Sequence, residues 1–135
     1  RSPAARRQAA ERLAQRLGGV VVLKGAGTVV TDGLRTWVSS TRNPALATAG
    51  TGDVLTGVIA GLVAQYFVPD HLARVLPPDR RGWSLLDCAA WGVRLHGLAG
   101  ELWRRDHGEA GLLATDLLER LPGALHGIRR SADGA

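Results

Sequence analysis

Residues 4 to 17 (AARRQAAERLAQRL) space their apolar positions as a helix does, with Ala9, Leu13, Ala14 and Leu17 on one face. Gly18-Gly19 stops that helix. Val20 to Lys24 (VVVLK) is a continuous β-branched run, the pattern of a strand buried on both faces. A glycine turn at Gly25-Ala26-Gly27 leads to a second strand at 28 to 31. Asp32-Gly33 is a hairpin signal, and Arg35 to Ser39 alternates as a third strand. After a loop at 40 to 51, a helix apolar on almost every side runs from about Gly52-Asp53 to Tyr66, which predicts burial against a sheet. Three prolines and mixed charges make 67 to 82 a surface loop. A long helix then spans Trp83 to Arg105, and a last one runs from Asp116 to Leu121 with Thr115 as N-cap. Pro122 ends it, and 123 to 135 reads as a flexible tail.

The predicted order is one helix, one buried strand, two hairpin strands, then helices: an α/β pattern held in a single segment, 1 to 135. A strand like VVVLK calls for parallel neighbours that the rest of the sequence does not supply. Either another chain completes the sheet, as in a homo-oligomer, or the 135 residues belong to something larger.

Composition narrows the setting. At 45% hydrophobic residues a real core is possible and wholesale disorder is not expected. The one cysteine, Cys88, lies among apolar residues and reads as an inert core thiol, and no Cys/His spacing suits structural zinc. The charged opening has no apolar h-region, and the longest uncharged run, Val54 to Pro69, is shorter than a membrane span. A cytoplasmic, reducing setting without a membrane is therefore expected. The net charge of +5 comes from arginines scattered in ones and twos. They are neither gathered on one face nor interleaved with aromatics, so nucleic acid is not the expected partner. Sixteen of the seventeen basic residues are arginine; Lys24 is the single lysine.

The chemistry concentrates in Asn43 to Gly57 (NPALATAGTGDVLTG). At Gly50-Thr51-Gly52-Asp53 two glycines permit a sharp turn, and the helix that starts there directs unpaired N–H groups at one point, an anion hole. Asp53 stands in its first turn, where the dipole favours the carboxylate. A carboxylate beside an anion hole can draw a proton from a hydroxyl as phosphate arrives. The plainer reading is a turn in which Asp53 only complements the dipole. Leu23 to Thr28 (LKGAGT) places Lys24, two glycines and a hydroxyl at a strand's carboxyl edge, where ligands of open α/β sheets collect. It is neither a Walker loop nor a dinucleotide fingerprint, and a hairpin turn with an exposed lysine is its plainer reading.

Together, LKGAGT and NPALATAGTGDVLTG resemble the carbohydrate-kinase-like NAD(P)H-hydrate dehydratases of the ribokinase superfamily. Leu95 to Gly100 (LHGLAG) and Ala114 to Leu117 (ATDL) extend the resemblance to that family's closing helices. It implies a ribokinase-like three-layer α/β fold of which this chain is the C-terminal portion, without the N-terminal part of the sheet. It implies ADP- or ATP-dependent dehydration of hydrated NAD(P)H back to NAD(P)H, with Mg2+ accompanying the nucleotide. Lys24, Gly25, Ala26, Gly27, Thr28 and Gly52 would bind the nucleotide; Gly50, Thr51, Gly52 and Asp53 would form the anion hole. Asp53 would also meet the substrate as catalytic base. On this reading the segment alone is inactive. Asn43 would order the site or simply form a turn with Pro44, and His96 would be a packed histidine. The alternatives are a ribokinase-like kinase acting on a small alcohol and a non-catalytic nucleotide-binding segment.

Overall fold

In a computed structural model of the chain, residues 2–133 are described, the last five of them as backbone only. Helix α1 (Pro3–Leu17) is capped by Ser2, whose side chain accepts from the Ala5 N–H, and ends at Gly18 in the left-handed conformation, φ 65°. Its buried positions are Ala10 and Ala14. The expected face of Ala9, Leu13, Ala14 and Leu17 is wrong in register, since Leu13 and Leu17 are exposed. Small side chains win there because α1 lies close over the sheet.

Strands β1 (Val21–Leu23), β2 (Val29–Thr31) and β3 (Thr36–Val38) form an antiparallel sheet in the order β1-β2-β3. VVVLK is therefore not a strand buried on both faces. Its residues are half-buried at the sheet edge, and the fully buried strand is the central β2. Among the described residues no strand pairs with the outer edge of β1. The Asp32-Gly33 hairpin forms as expected: Asp32 Oδ1 accepts from the N–H groups of Leu34 (2.9 Å) and Arg35 (2.7 Å).

Helix α2 (Thr51–Tyr66) and helix α4 (Leu85–His107) cover the other face of the sheet. Val30 of β2 is buried there with Leu55, Leu86, Ala89 and Val93, so the layers run helix, sheet, helix. Ser84 and Asp87 close a capping box that starts α4 slightly later than expected. The sequence predicts α2 as buried all round, yet only Thr51 and Leu55 are fully buried. Leu55 faces the sheet, α4 packs alongside, and Val54 and Val58 lean on the core that holds Leu95 and Leu117, so the exposed side is the one carrying Asp53, Thr56, Ala60 and Ala64. The expected surface loop, 67 to 82, carries a single-turn helix, α3 (Asp70–Ala73), and a 3-10 turn at Pro78–Arg80.

The chain departs most from expectation at its last helix. α5 (Asp116–Asp133) does not stop at Leu121 but runs through Pro122. Proline inside a helix costs about 3 kcal/mol. Here Leu117 and Ala124 on either side of it are buried in a second core with Leu95, Ala99 and Trp103, and that packing offsets the loss. The predicted tail is thus helical as far as Asp133; residues 134 and 135 of it lie outside the described residues.

Candidate active site

Both sequence motifs converge at one end of the sheet. The chain leaves β1 through Lys24 and turns at Gly25 and Gly27, whose φ values of 151° and 70° disfavour side chains. Thr28 closes the turn on itself: its Oγ1 donates to the Gly25 carbonyl (3.0 Å) and accepts from the Gly25 N–H (3.3 Å). Arg6 of α1 braces the turn from outside by donating to the carbonyls of Leu23 (3.3 Å) and Lys24 (3.2 Å). Nothing in the sequence pattern marked Arg6 apart from the other arginines.

Loop 40 to 50 contains a 3-10 turn, Pro44–Ala47, capped by Asn43, whose Oδ1 accepts from the Ala45 N–H at 3.0 Å. Gly50, at φ 83°, then starts α2. A Cβ at Gly50 would lie 3.0 Å from that of Ala114, so the turn is also pressed against the α4–α5 connection. Within the expected anion hole the Asp53 N–H is already bonded to the Gly50 carbonyl (3.0 Å), and the Thr51 N–H reaches the Thr48 carbonyl at 3.4 Å. The N–H groups of Gly50 and Gly52 are the two without an acceptor among the described residues. Of the four residues expected to form an anion hole, two therefore keep a free N–H.

Lys24 joins the two motifs. Its Nζ donates to the Leu46 carbonyl (2.8 Å) and to Thr51 Oγ1 (2.9 Å), leaving one ammonium proton for a ligand. Burial pushes its pKa below the ordinary 10.5. Gly52 faces the same side chain: a Cβ there would lie 3.8 Å from Lys24 Cδ. Asp53 is the exception. It is exposed on the first turn of α2, and its carboxylate makes no hydrogen bond or ion pair among the described residues.

Beside the lysine lies a cavity of about 390 Å³, whose polar lining is Lys24, Thr28, Ser39, Thr41, Arg42, Asn43 and His96. Its back wall is α4, and a Cβ on Gly97 would meet Thr41 Oγ1 at 2.7 Å. His96, 3% exposed, bonds through Nε2 to the Thr51 carbonyl at 2.8 Å. A carbonyl only accepts, so Nε2 carries the proton. The expectation of a packed histidine holds, but the ring also fronts the cavity, which spacing alone did not disclose. Among the described residues no three His, Cys, Asp or Glu side chains converge to hold a metal, and no helix is long and apolar enough to cross a membrane.

A helix–sheet–helix layering with a glycine turn and a helix N-terminus meeting at the sheet end is the arrangement of ribokinase-like proteins. A ribokinase-like superfamily protein from Enterococcus faecalis superposes with a TM-score of 0.66 at 27% identity, over 87% of this chain and 35% of that one. The NAD(P)H-hydrate dehydratase family model matches residues 2–123, and the chain belongs to that family. It is 47% identical over 113 residues to the bifunctional NAD(P)H-hydrate repair enzyme of Vibrio cholerae, covering 84% of this chain and 20% of the relative. It is 38% identical over 115 residues to the ADP-dependent (S)-NAD(P)H-hydrate dehydratase of Cenarchaeum symbiosum, covering 85% and 34%. The Bacillus subtilis ADP/ATP-dependent NAD(P)H-hydrate dehydratase, co-crystallised with ATP/Mg2+, superposes with a TM-score of 0.73 at 32% identity, over 91% and 39%. The chain thus spans a fifth to about two-fifths of the length of these relatives.

Proposed function

We propose that this chain carries the nucleotide site and the general base of an ADP- or ATP-dependent dehydratase that returns hydrated NAD(P)H to NAD(P)H. The bridge from Lys24 to Thr51 carries the reading, because it fuses the LKGAGT turn and the GTGD helix start into one surface. The third proton of Lys24, the free N–H groups of Gly50 and Gly52 and the Gly25 to Thr28 turn would hold the nucleotide's phosphates. The described residues build no cage of their own for Mg2+, so the ion would come bound to those phosphates, whose charge it would neutralise.

Asp53 would take the proton from the substrate hydroxyl while that oxygen attacks the terminal phosphorus of the nucleotide, whose bond to the bridging oxygen breaks to release ADP from ATP or AMP from ADP. The phosphorylated oxygen would then leave as phosphate, and the carbon–carbon double bond of the reduced nicotinamide would form as the adjacent proton departs. The exposure of Asp53 agrees with a substrate pocket completed by residues beyond this chain. The open edge of β1 and the exposed side of α2 would receive the remaining part of the domain or a second copy. A cytoplasmic setting belongs to the same reading.

The test supplies the chain with the remaining portion of a dehydratase domain and offers hydrated NADH with ADP or ATP. Return of NADH absorbance, lost in Asp53→Asn with nucleotide binding retained, supports the reading. A stable phosphorylated alcohol would point to a kinase instead, and turnover by Asp53→Asn at the parent rate would remove Asp53 from its role.

A further inference from the structure

Helix α2 begins without a side-chain cap. Its N-cap is Gly50, in the left-handed region at φ 83°, and no side chain there accepts from the first turn. A capping oxygen would take the N–H of the second or third helical residue, here Gly52 or Asp53. Its omission keeps the Gly52 N–H for a ligand, but it leaves a Gly-Thr-Gly start with little to hold it. Glycine loses the most freedom on ordering, and a first turn lacks internal partners for its N–H groups.

Two long-range contacts hold that start, and both end on Thr51. Lys24 binds its hydroxyl at 2.9 Å, and His96 of α4 donates Nε2–H to its carbonyl at 2.8 Å. The Thr51 carbonyl and the Gly52 N–H belong to one peptide unit. That unit is planar and trans, so its oxygen and its N–H point in opposite directions and turn as one body. With the oxygen pinned on His96, the N–H is aimed away from the ring. A hydrogen bond on the carbonyl also polarises the unit and strengthens the donor at its other end. Gly92, one turn earlier on the same face of α4, makes the reach possible. A Cβ there would lie 2.5 Å from Ile59 Cγ1, so α4 comes closer to α2 than a side chain would allow.

Resting on the phosphate-binding reading above, we infer that His96 is a positioning residue for the anion hole, holding the Thr51–Gly52 peptide so that the Gly52 N–H faces the nucleotide's phosphates. It acts through the peptide and not by contact with the phosphate. The bond is made where water does not compete, since the ring is 3% exposed and Thr51 is fully buried. Sequence spacing could not show this, because His96 stands 45 positions from Thr51 and reaches it only through the packing of α4 on α2.

The experiment is calorimetric titration of the 135-residue chain, His96→Gln and His96→Leu with ADP and with adenosine, which lacks the phosphates. Gln keeps a donor for the Thr51 carbonyl, and Leu fills the space without one. In His96→Leu the preference for ADP over adenosine is expected to fall about three- to tenfold, the worth of one hydrogen bond. In His96→Gln it is expected to stay within about twofold of the parent. Relaxation of the Gly52 amide gives a reading without ligand: an order parameter of about 0.85 in the parent and His96→Gln, and a lower one in His96→Leu. A histidine that only walls the cavity would weaken ADP and adenosine alike and leave Gly52 rigid. That result overturns the inference and leaves the anion hole in place. A parent chain that binds ADP no better than adenosine, or binds neither, overturns the phosphate reading and this inference with it. If His96→Leu fails to fold, the parent chain decides. A His96 Nε2 proton protected from solvent exchange supports the bond to Thr51, and one that exchanges as fast as free imidazole overturns the inference.

Discussion

Lys24 donates to Thr51 Oγ1 at 2.9 Å, so the residue that ends β1 is tied to the first residue of α2, 27 positions later. Thr51 is fully buried, and its own hydroxyl proton is directed at the carbonyls of Leu46 (2.9 Å) and Thr48 (2.8 Å). One side chain therefore collects the strand end, the 3-10 turn and the helix start.

Lys24→Met is expected to lower stability by about 1.5 kcal/mol, the low end for a hydrogen bond involving a charged group, because the ammonium keeps some contact with water. Nucleotide affinity should fall further, by an order of magnitude or more, through loss of the free ammonium proton. Denaturant unfolding and calorimetric titration would separate the two effects. Affinity unchanged in Lys24→Met would show that the lysine serves only as a strap.

Gly97 and Gly57 lie on two helices and should respond to alanine in opposite senses. At Gly97 the new methyl would meet Thr41 Oγ1 at 2.7 Å and press loop 40 to 43 away from α4. A loss of about 1–3 kcal/mol follows, as for other overpacked sites, together with weaker nucleotide binding. At Gly57, mid-way along α2, nothing lies within 4 Å, and alanine should stabilise by about 0.5–1 kcal/mol through helix propensity. Melting temperatures of the two variants shifting in the same direction would contradict the packing of α4 on the loop.

Local features of this fold are legible in the sequence. The Gly18 stop, the Asp32-Gly33 hairpin and the glycine start of α2 each depend on backbone freedom or on a cap a few residues away. Features decided by distant neighbours are not. Ala10 and Ala14 rather than Leu13 and Leu17 face the sheet because α1 packs close. Whether VVVLK is central or at an edge depends on strands beyond it, not on its own side chains. α5 continues past Pro122 because Leu117 and Ala124 are buried on both sides of it. The motif residues of the candidate site were readable, and Lys24 came within bonding distance of Thr51 as their meeting point. The cavity was not readable, since Thr28, Asn43 and His96 join it from three separate stretches of chain.

Cys88 is fully buried on α4, and burial, followed by the neighbouring Asp87 charge, holds its thiol above the ordinary pKa of 9.0. It is expected to react with a thiol reagent only as the chain unfolds, at a rate that rises with denaturant. Rapid labelling under native conditions would mean that α4 does not seal the sheet as described.

His96 gives stability a pH dependence of definite sign. Its pKa lies below 6.5 in the folded chain, chiefly through burial, and returns to about that value on unfolding. Between the two values the unfolded state binds more protons, so stability rises with pH through that window. The contribution is complete above about pH 6.5 and is lost as the pH falls towards the folded value. His96→Gln can still donate to the Thr51 carbonyl but does not titrate, so its unfolding free energy should flatten relative to the parent as the pH falls below the ordinary histidine value of 6.5. Parallel pH profiles for the two proteins would mean that the ring is solvated or already protonated in the folded chain.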